Sequence, residues 1–509
     1  MMEKSMQPLQ LRIRFLSVCV LFSGLLFSQE THNLTLPKCQ QIATRNNYQL
    51  RTLQEDFRIA EYELKAAINR FKTNVELRLT APDYSETISS LQDSTGTNYF
   101  PIKQASYSGN VRINQPLPTD GQVYISSGVY RIEDYYKNEQ STRLNTRIGL
   151  EQPIEALYAY NNIQSALRMA RLNYELSSRR LTRARLDLNY QIAQAYYGLL
   201  QAFEREKIAR QTLNLQEETY ELARNKYRAG VIAEVEALQM EVDLGEAVNS
   251  YDLAVAARQE AANRLKQLLA IDLSDSLKVA SELDYPVVTV NLDTALTYGL
   301  KNRLEIRERE ISREQSKIDI KSTKVRHQIT GSISAYYDFI GVDQRADDFP
   351  LSHNFENAWQ ELKRRPGNRG VALTINIPLW DWGVNKARVQ AAEARLRKAR
   401  MALKEEKITV ERDIRNSVNE VRSSLKRLQL LEKNVQVAER SFNISRERFA
   451  NGDINSQALA LDRNRLSQAY NSRLSALITY KLALSDLKRK TFYDFQGKRE
   501  ITGSSSPGM

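Results

Sequence analysis

The feature that most constrains this chain is an internal repetition. Asn225-Lys226-Tyr227-Arg228-Ala229-Gly230-Val231-Ile232 lies inside a long proline-free helical pattern, and it recurs as Glu447-Arg448-Phe449-Ala450-Asn451-Gly452-Asp453-Ile454. Upstream, Leu36-x6-Ala43-x2-Asn46-x3-Leu50 is echoed by Leu292-x6-Gly299-x2-Asn302-x3-Ile306, and Gln152-Pro153-Ile154 by Ile377-Pro378-Leu379. The order of parts is shared too: helix, β-like segments, proline-marked exit, very long helix, glycine-marked turn, return helix. Duplication of so large a unit predicts two similar halves around an axis, and neither a solenoid repeat nor a globular enzyme. The halves are placed at residues 29–285 and 286–490, after a signal segment at 1–28 and before an unstructured tail at 491–509.

Composition narrows the class. Charged residues make up 26% and hydrophobic ones 42%, but a mean hydropathy of −0.52 leaves little for one thick core. Elongated helices, solvated over most of their surface, fit that balance. The net charge of +12 permits an acidic partner. The charges are spread along helical segments, however, which points to solvated helix faces and not to a nucleic-acid stripe.

Lys4, Arg12 and Arg14 precede the apolar stretch Phe15 to Phe27, which is too short to span a bilayer and is followed by Ser28-Gln29-Glu30; it reads as a cleaved secretory signal. Cys19 sits inside that apolar run without the small preceding residue of a lipidated cysteine, so no lipid anchor is expected. Removing the signal leaves Cys39 alone, which excludes an intrachain disulfide and suggests a small core residue. No later stretch reaches the length of a transmembrane helix, so a membrane role would have to come from strands.

Leu167, Tyr174, Leu181, Leu188, Ala195, Ala202 and Ala209 fall on one heptad position, as do Ile414, Val421, Leu428, Val435, Phe442 and Phe449. Apolar residues seven apart mark a coiled-coil seam. The two helices, about 155 to 228 and 382 to 449, would each be roughly 100 Å long. Strict alternation marks strands at Ser332–Phe339 and Val371–Ile377 in the second half, and at Val75–Leu79, Asn110–Asn114 and Leu144–Leu150 in the first, with a further candidate at Gln122–Val129. All three tryptophans, Trp359, Trp380 and Trp382, lie in the second strand region, as interfacial aromatics would. Two long strands per half give four per chain, below the roughly eight of the smallest closed membrane barrel. Open edges cannot face lipid, so several chains must complete one barrel.

With the paired tips and strand exits in order, the chain resembles the TolC-type outer-membrane factor family over about Leu34 to Lys490. The resemblance implies a mainly α fold carrying a membrane β-barrel: a homotrimer whose three sets of four strands close a 12-stranded outer-membrane barrel, continued into the periplasm by a helical α-barrel. It implies a passive exit duct for efflux or type I secretion, with no cofactor. Its partners would be a periplasmic adaptor, an inner-membrane proton-driven or ABC transporter, and outer-membrane lipid. Gly230, Val231, Gly452 and Asp453 would be the docking tips. Glu236 and Gln239 on the first return helix, and Ala458, Leu461 and Asp462 on the second, would line the periplasmic aperture.

Two departures stand out. Ala458 stands where some members of the family it resembles carry Asp and Leu461 where Asp is frequent, and the first strand region, Val75 to Pro153, is about 30 residues longer than Gly331 to Pro378, enough for a long loop or an extra hairpin. Catalysis finds no support: His32, His327 and His353 are isolated, and there is neither a Walker-type loop nor a cysteine metal cluster. Lys363-Arg364-Arg365 with Arg369 reads as a solvated basic loop between the second-half strands. The competing reading is a secreted coiled-coil scaffold or adhesin whose strands form a small sheet without a pore.

Overall fold

The computed structural model describes residues 31–94, 96–279, 284–325, 328–345 and 351–500. In the first half, β1 (Thr31–Leu34) leads into α1 (Leu36–Asn46) and α2 (Tyr48–Asn69). Strands β2 (Asn74–Asp93), β3 (Gly96–Pro116), β4 (Gln122–Asp134) and β5 (Glu139–Pro153) follow, then a single turn, α3 (Glu155–Tyr158), and helices α4 (Asn162–Arg228) and α5 (Glu234–Leu269). In the second half, β6 (Ser276–Val279) precedes α6 (Leu292–Asn302), α7 (Leu304–Val325), β7 (Thr330–Arg345), α8 (Leu351–Arg364) and β8 (Asn368–Asn376). The chain then runs through α9 (Val384–Asn451) and α10 (Ser456–Thr491). The halves agree almost residue for residue: α1 and α6 have 11 residues each, α2 and α7 have 22, α4 and α9 have 67 and 68, α5 and α10 have 36.

The signal segment, Cys19 and His327 lie outside the described residues. Part of the expected tail does not lack structure: β9 (Tyr493–Asp494) and β10 (Arg499–Glu500) pair as a short hairpin.

Each long helix carries shorter partners laid end to end. On α4, Leu181, Leu188, Ile192, Tyr196 and Leu199 bury Cys39 and Ala43 of α1, Leu50 of α2, and Leu265 and Leu269 of α5. On α9, Val410 to Leu428 bury Ala295 of α6, Ile306 of α7, and Ala476, Leu477, Tyr480 and Leu487 of α10. Full burial of such a side chain contributes about 1.5–3 kcal/mol. These seams hold the helices straight where intrinsic propensity would not. The six expected seam residues of α9 are buried without exception. On α4 the expected heptad holds at Leu181 and Leu188, but Ala195, Ala202 and Ala209 are only half-buried. The reason is a change of neighbour. Beyond Leu188, α4 leaves α1 and α2 for α5, and Leu200 packs on Leu474 and Ile478 of α10, so burial rotates around the helix.

The strands form one six-stranded antiparallel sheet in the order β2-β3-β4-β5-β7-β8. Every expected strand is present, but the tally of four per chain is corrected to six. The surplus residues of the first half build a second hairpin, β2–β3, which passes into β4 through a turn at Leu117–Gly121, with Asp120 at φ 67 and Leu117 N–H donating to the Gly121 carbonyl at 2.8 Å. Asp120 also accepts from the Asn162 and Ile163 amides at 3.0 and 3.1 Å, so this turn caps the start of α4.

Candidate functional site: the paired tips and the sheet faces

At the first tip the Gly230 amide donates to the Tyr227 carbonyl (2.9 Å) and the Val231 amide to the Lys226 carbonyl (2.9 Å). At the second, Gly452 donates to Phe449 (3.1 Å) and Asp453 to Arg448 (2.8 Å). Both are Schellman closures, in which the residue past the helix adopts a left-handed conformation. Gly230 at φ +71 and Gly452 at φ +87 supply it without a Cβ penalty. The return helices then start differently. Asn455 caps α10 by accepting from the Ala458 amide (3.0 Å), whereas α5 has no side-chain cap and places Glu234 and Glu236 in its first turn.

The structure separates the expected aperture residues. Gln239 is exposed and Glu236 and Ala458 are half-buried. Leu461 is 53% exposed within the chain, while Leu459 and Leu466 make the seam with Phe442 and Phe449. Asp462 turns the other way. It accepts from Ser445, Ser441 and Arg465, and the Ser445 hydrogen bond, with Arg465 beside it, holds its carboxyl below the usual carboxylate range. It fastens α10 to α9 within one hairpin.

Two links between the hairpins escape sequence reasoning. Lys226, in the last turn of α4, donates to the Phe449 carbonyl (2.6 Å) and Ala450 carbonyl (3.3 Å) and stands 4.7 Å from the Phe449 ring centre. A cation thus gives the Phe449 carbonyl a second donor beside the Gly452 amide, and reaches the Ala450 carbonyl, at the end of the other long helix. Further along, Gln239 donates to Asp243 (2.9 Å), and Arg463 of α10 reaches Asp243 of α5 at 3.5 Å. The Arg463 and Asp243 side chains are 11% and 13% exposed; burial pulls the guanidinium below its usual range, and Asp243 opposes that. A lysine in a last helical turn is a visible signal of capping, but nothing local shows that the capped helix is the other one. The Arg463–Asp243 pair has no sequence signal, because its partners come from different halves.

In the sheet, register fixes two chemically distinct faces. Rows running across all six strands put Val75, Leu77 and Leu79 beside Ile113 and Val111, then Ile125, Val129, Ile148, Leu144, Tyr337, Phe339, Val371, Leu373 and Ile375 on one side, interrupted by the Ser127–Thr146 pair and, on β8, by Arg369. The opposite side carries Glu76, Arg78, Arg112, Asn110, Ser126, Arg147, Asp338 and Asn368. Arg147 clasps Asp338 at 2.5 and 2.6 Å on this polar face. The apolar face ends where Tyr107, Arg131, Thr142 and Asp343 align, and on β2–β3 the pair Glu86–Lys103, at 2.8 Å, stands beyond that row. There α8 packs over β7, with Ala358 fully buried and Asn357 reaching Asp343 at 3.5 Å. So the basic segment is not a loop: Lys363 and Arg364 end an amphipathic helix, Lys363 lies over Trp359, and Arg365 pairs with Glu361 at 3.1 Å.

Trp359 on α8 and the Trp380–Trp382 pair beyond β8 flank opposite ends of that strand, the pair being 75% and 88% exposed. Among the described residues no helix is long and apolar enough to cross a membrane, and no group of His, Cys, Asp and Glu has the arrangement of a metal site.

Comparison with known proteins adds the last piece. The fold is shared with the Campylobacter jejuni CmeC outer membrane channel (16% identity, covering 92% of this chain and 86% of that one, TM-score 0.66). It is shared with the outer membrane protein VceC of Vibrio cholerae (15%, 89% and 95%, 0.65) and with the open state of the Neisseria gonorrhoeae MtrE outer membrane channel (19%, 92% and 90%, 0.62). No curated protein sequence matches the chain. Its sequence does match the outer membrane efflux protein family over residues 122–270 and 299–489, one segment in each half. The chain therefore belongs to the outer membrane efflux protein family, the TolC-type channels of the outer membrane.

Proposed function

We propose that three copies of this outer membrane efflux channel form the passive exit duct of a three-part export machine. The chain lies in the outer membrane with its helices in the periplasm. The sheet is wettable on one face and lipid-compatible on the other, and its unpaired edges require further copies. The observation that carries the reading is the matched pair of Schellman tips at the ends of helices about 100 Å long, tied together by Lys226. They offer a periplasmic adaptor two similar rigid knobs per chain, around Gly230–Val231 and Gly452–Asp453. Energy comes from an inner-membrane transporter, proton-driven or ATP-driven. Glu236, Gln239 and Leu461 contribute to the aperture beside the tips, which makes it part carboxylate and part apolar.

Export assays test this reading with Gly230→Pro and Gly452→Pro. Proline fixes φ near −65° and cannot adopt the left-handed turn. Both variants should stay trimeric and membrane-inserted but lose export. Full export by both would remove the tips from the docking surface.

A further inference from the structure

The second hairpin of the first half raises the question of where β2 and β3 sit once copies assemble. Residues 74–116 precede the stretch that matches the family, so nothing in that match assigns them a place. We infer that they are part of the membrane wall, and that the edge strand β8 of one copy pairs with β2 of the next. The wall of three copies of the six-stranded sheet then holds eighteen strands. The inference rests on the trimeric duct proposed above.

Three observations carry it. First, Val75, Leu77 and Leu79 continue the apolar face of β4 to β8 on the same side, while Glu76 and Arg78 continue the polar face. A hairpin lying in water, over the mouth or outside the wall, has no use for an apolar face in register with its neighbours. Second, the apolar run ends in a polar border on β2–β3 as on β4. On β2–β3 the apolar run stops at the irregularity between Thr80 and Asp83 and gives way to Glu86–Lys103, as it gives way on β4 to Arg131–Glu133, paired at 2.8 Å. Third, the free edges match. Val75, Leu77 and Leu79 on β2 and Val371, Leu373 and Ile375 on β8 are all exposed. Every neighbouring pair in the sheet is antiparallel, and an even number of strands makes β2 and β8 run in opposite directions. Joining β8 to the next copy's β2 therefore stays antiparallel all round, and lets the nine residues of β8 cover the apolar stretch of β2 from Val75 to Leu79.

A wall of that size has consequences for the cargo. Barrel diameter grows about linearly with strand number, so eighteen strands enclose a bore about one and a half times as wide as twelve. Its first-half lining includes Glu76, Arg78 and Arg112 on the polar face.

The test is a series of single cysteines at residues 75, 76, 77, 78 and 79 of the full-length chain, with Cys39 replaced by alanine because it is buried in the helical core. Each is spin-labelled in reconstituted trimers and probed with oxygen and with a water-soluble nickel chelate. Membership of the wall gives a period of two: high oxygen access at Val75, Leu77 and Leu79, high chelate access at Glu76 and Arg78. Chelate access at all five positions would place the hairpin outside the wall and overturn the inference, while conducting trimers would leave the duct intact. Failure to form trimers or to conduct would instead defeat the duct. Electron cryomicroscopy of the wild-type trimer gives a count free of substitutions: eighteen strands support the inference, and twelve refute it.

Discussion

Replacing Asp243 with asparagine should loosen the two return helices where they cross near the tips. The carboxylate is the partner of Arg463 across α5 and α10, and both side chains are largely out of water. Removing one member of a buried pair leaves the other charge uncompensated and costs about 3–5 kcal/mol. Here the contact is long at 3.5 Å and the Arg463 Nε has no hydrogen-bond partner, while Glu246 adds a weaker field at the guanidinium. The lower end, about 3 kcal/mol per chain, is therefore expected, roughly a 150-fold change in the equilibrium between packed and separated helices. Arg463→Met should cost a similar amount by stranding Asp243. The double variant Asp243→Leu/Arg463→Met removes both charges and should recover most of the loss, since apolar replacement of a buried pair is often neutral. Thermal unfolding of the reconstituted trimer gives the energies, and single-channel recording shows whether the singles raise open probability while the double does not. Single variants within about 0.5 kcal/mol of wild type, or a double whose cost is the sum of the two, would refute the coupling, because interacting partners cannot be additive.

Four further outcomes follow from the tips. Lys226→Met keeps the packing stem but removes the donor to the Phe449 and Ala450 carbonyls, and should cost about 1–2 kcal/mol, seen as faster hydrogen exchange confined to residues around 449–453. Asp462 has a lowered carboxyl pKa in the folded state, so its contribution is fully present above the ordinary aspartate value of about 3.9 and is lost as pH falls through the folded value. Thermal midpoints should therefore fall in acid more steeply for wild type than for Asp462→Asn. Leu461→Ser should raise resting conductance at little cost in stability, because the side chain is outside its own hairpin's seam, while Glu236→Gln should chiefly lower cation selectivity; unchanged conductance with a lower melting temperature for Leu461→Ser would put the leucine in a packed contact instead.

The long helices were legible because the seam of α9 repeats every seven residues, that of α4 keeping the repeat only at Leu181 and Leu188, and because Gly230 and Gly452 stand where only a left-handed residue closes the helix. What escaped the sequence depends on rotation and on distance. Asp462 and Leu461 are neighbours in the chain, and which of them faces its own hairpin follows from the phase set by Leu459 and Leu466 against α9, not from any motif. Asp243 and Arg463 are far apart in sequence, so their meeting is a property of how the two halves pack. The strands show a different limit. Each alternating run was visible alone, but Asp83-Tyr84-Ser85-Glu86 carries no apolar period, so the outer reach of β2 and the pairing that makes a second hairpin were hidden. In α8, Leu351, Phe355, Ala358, Trp359 and Leu362 have helical spacing, but the basic residues that follow suggested a solvated loop.

The end-to-end layout of the short helices makes each half a lapped beam. α5 and α10 stop at left-handed residues, Ala270 at φ 51 and Phe492 at φ 56, close to where α1 and α6 take over the long helix. At each lap the covering changes hands, so bending concentrates there while the stretches on either side stay stiff. Tyr480 marks the second lap: fully buried, it donates to the Pro286 carbonyl at 2.8 Å and accepts from the Val288 amide at 3.1 Å, pinning α10 to the segment that enters α6. From such a fulcrum, the stretch of α10 from Tyr480 back to Ser456 is an arm of about 36 Å, and a tilt of about 10° swings its tip by roughly 6 Å. A small rearrangement of core side chains midway along the beam is thus magnified into an iris-scale movement at the far end.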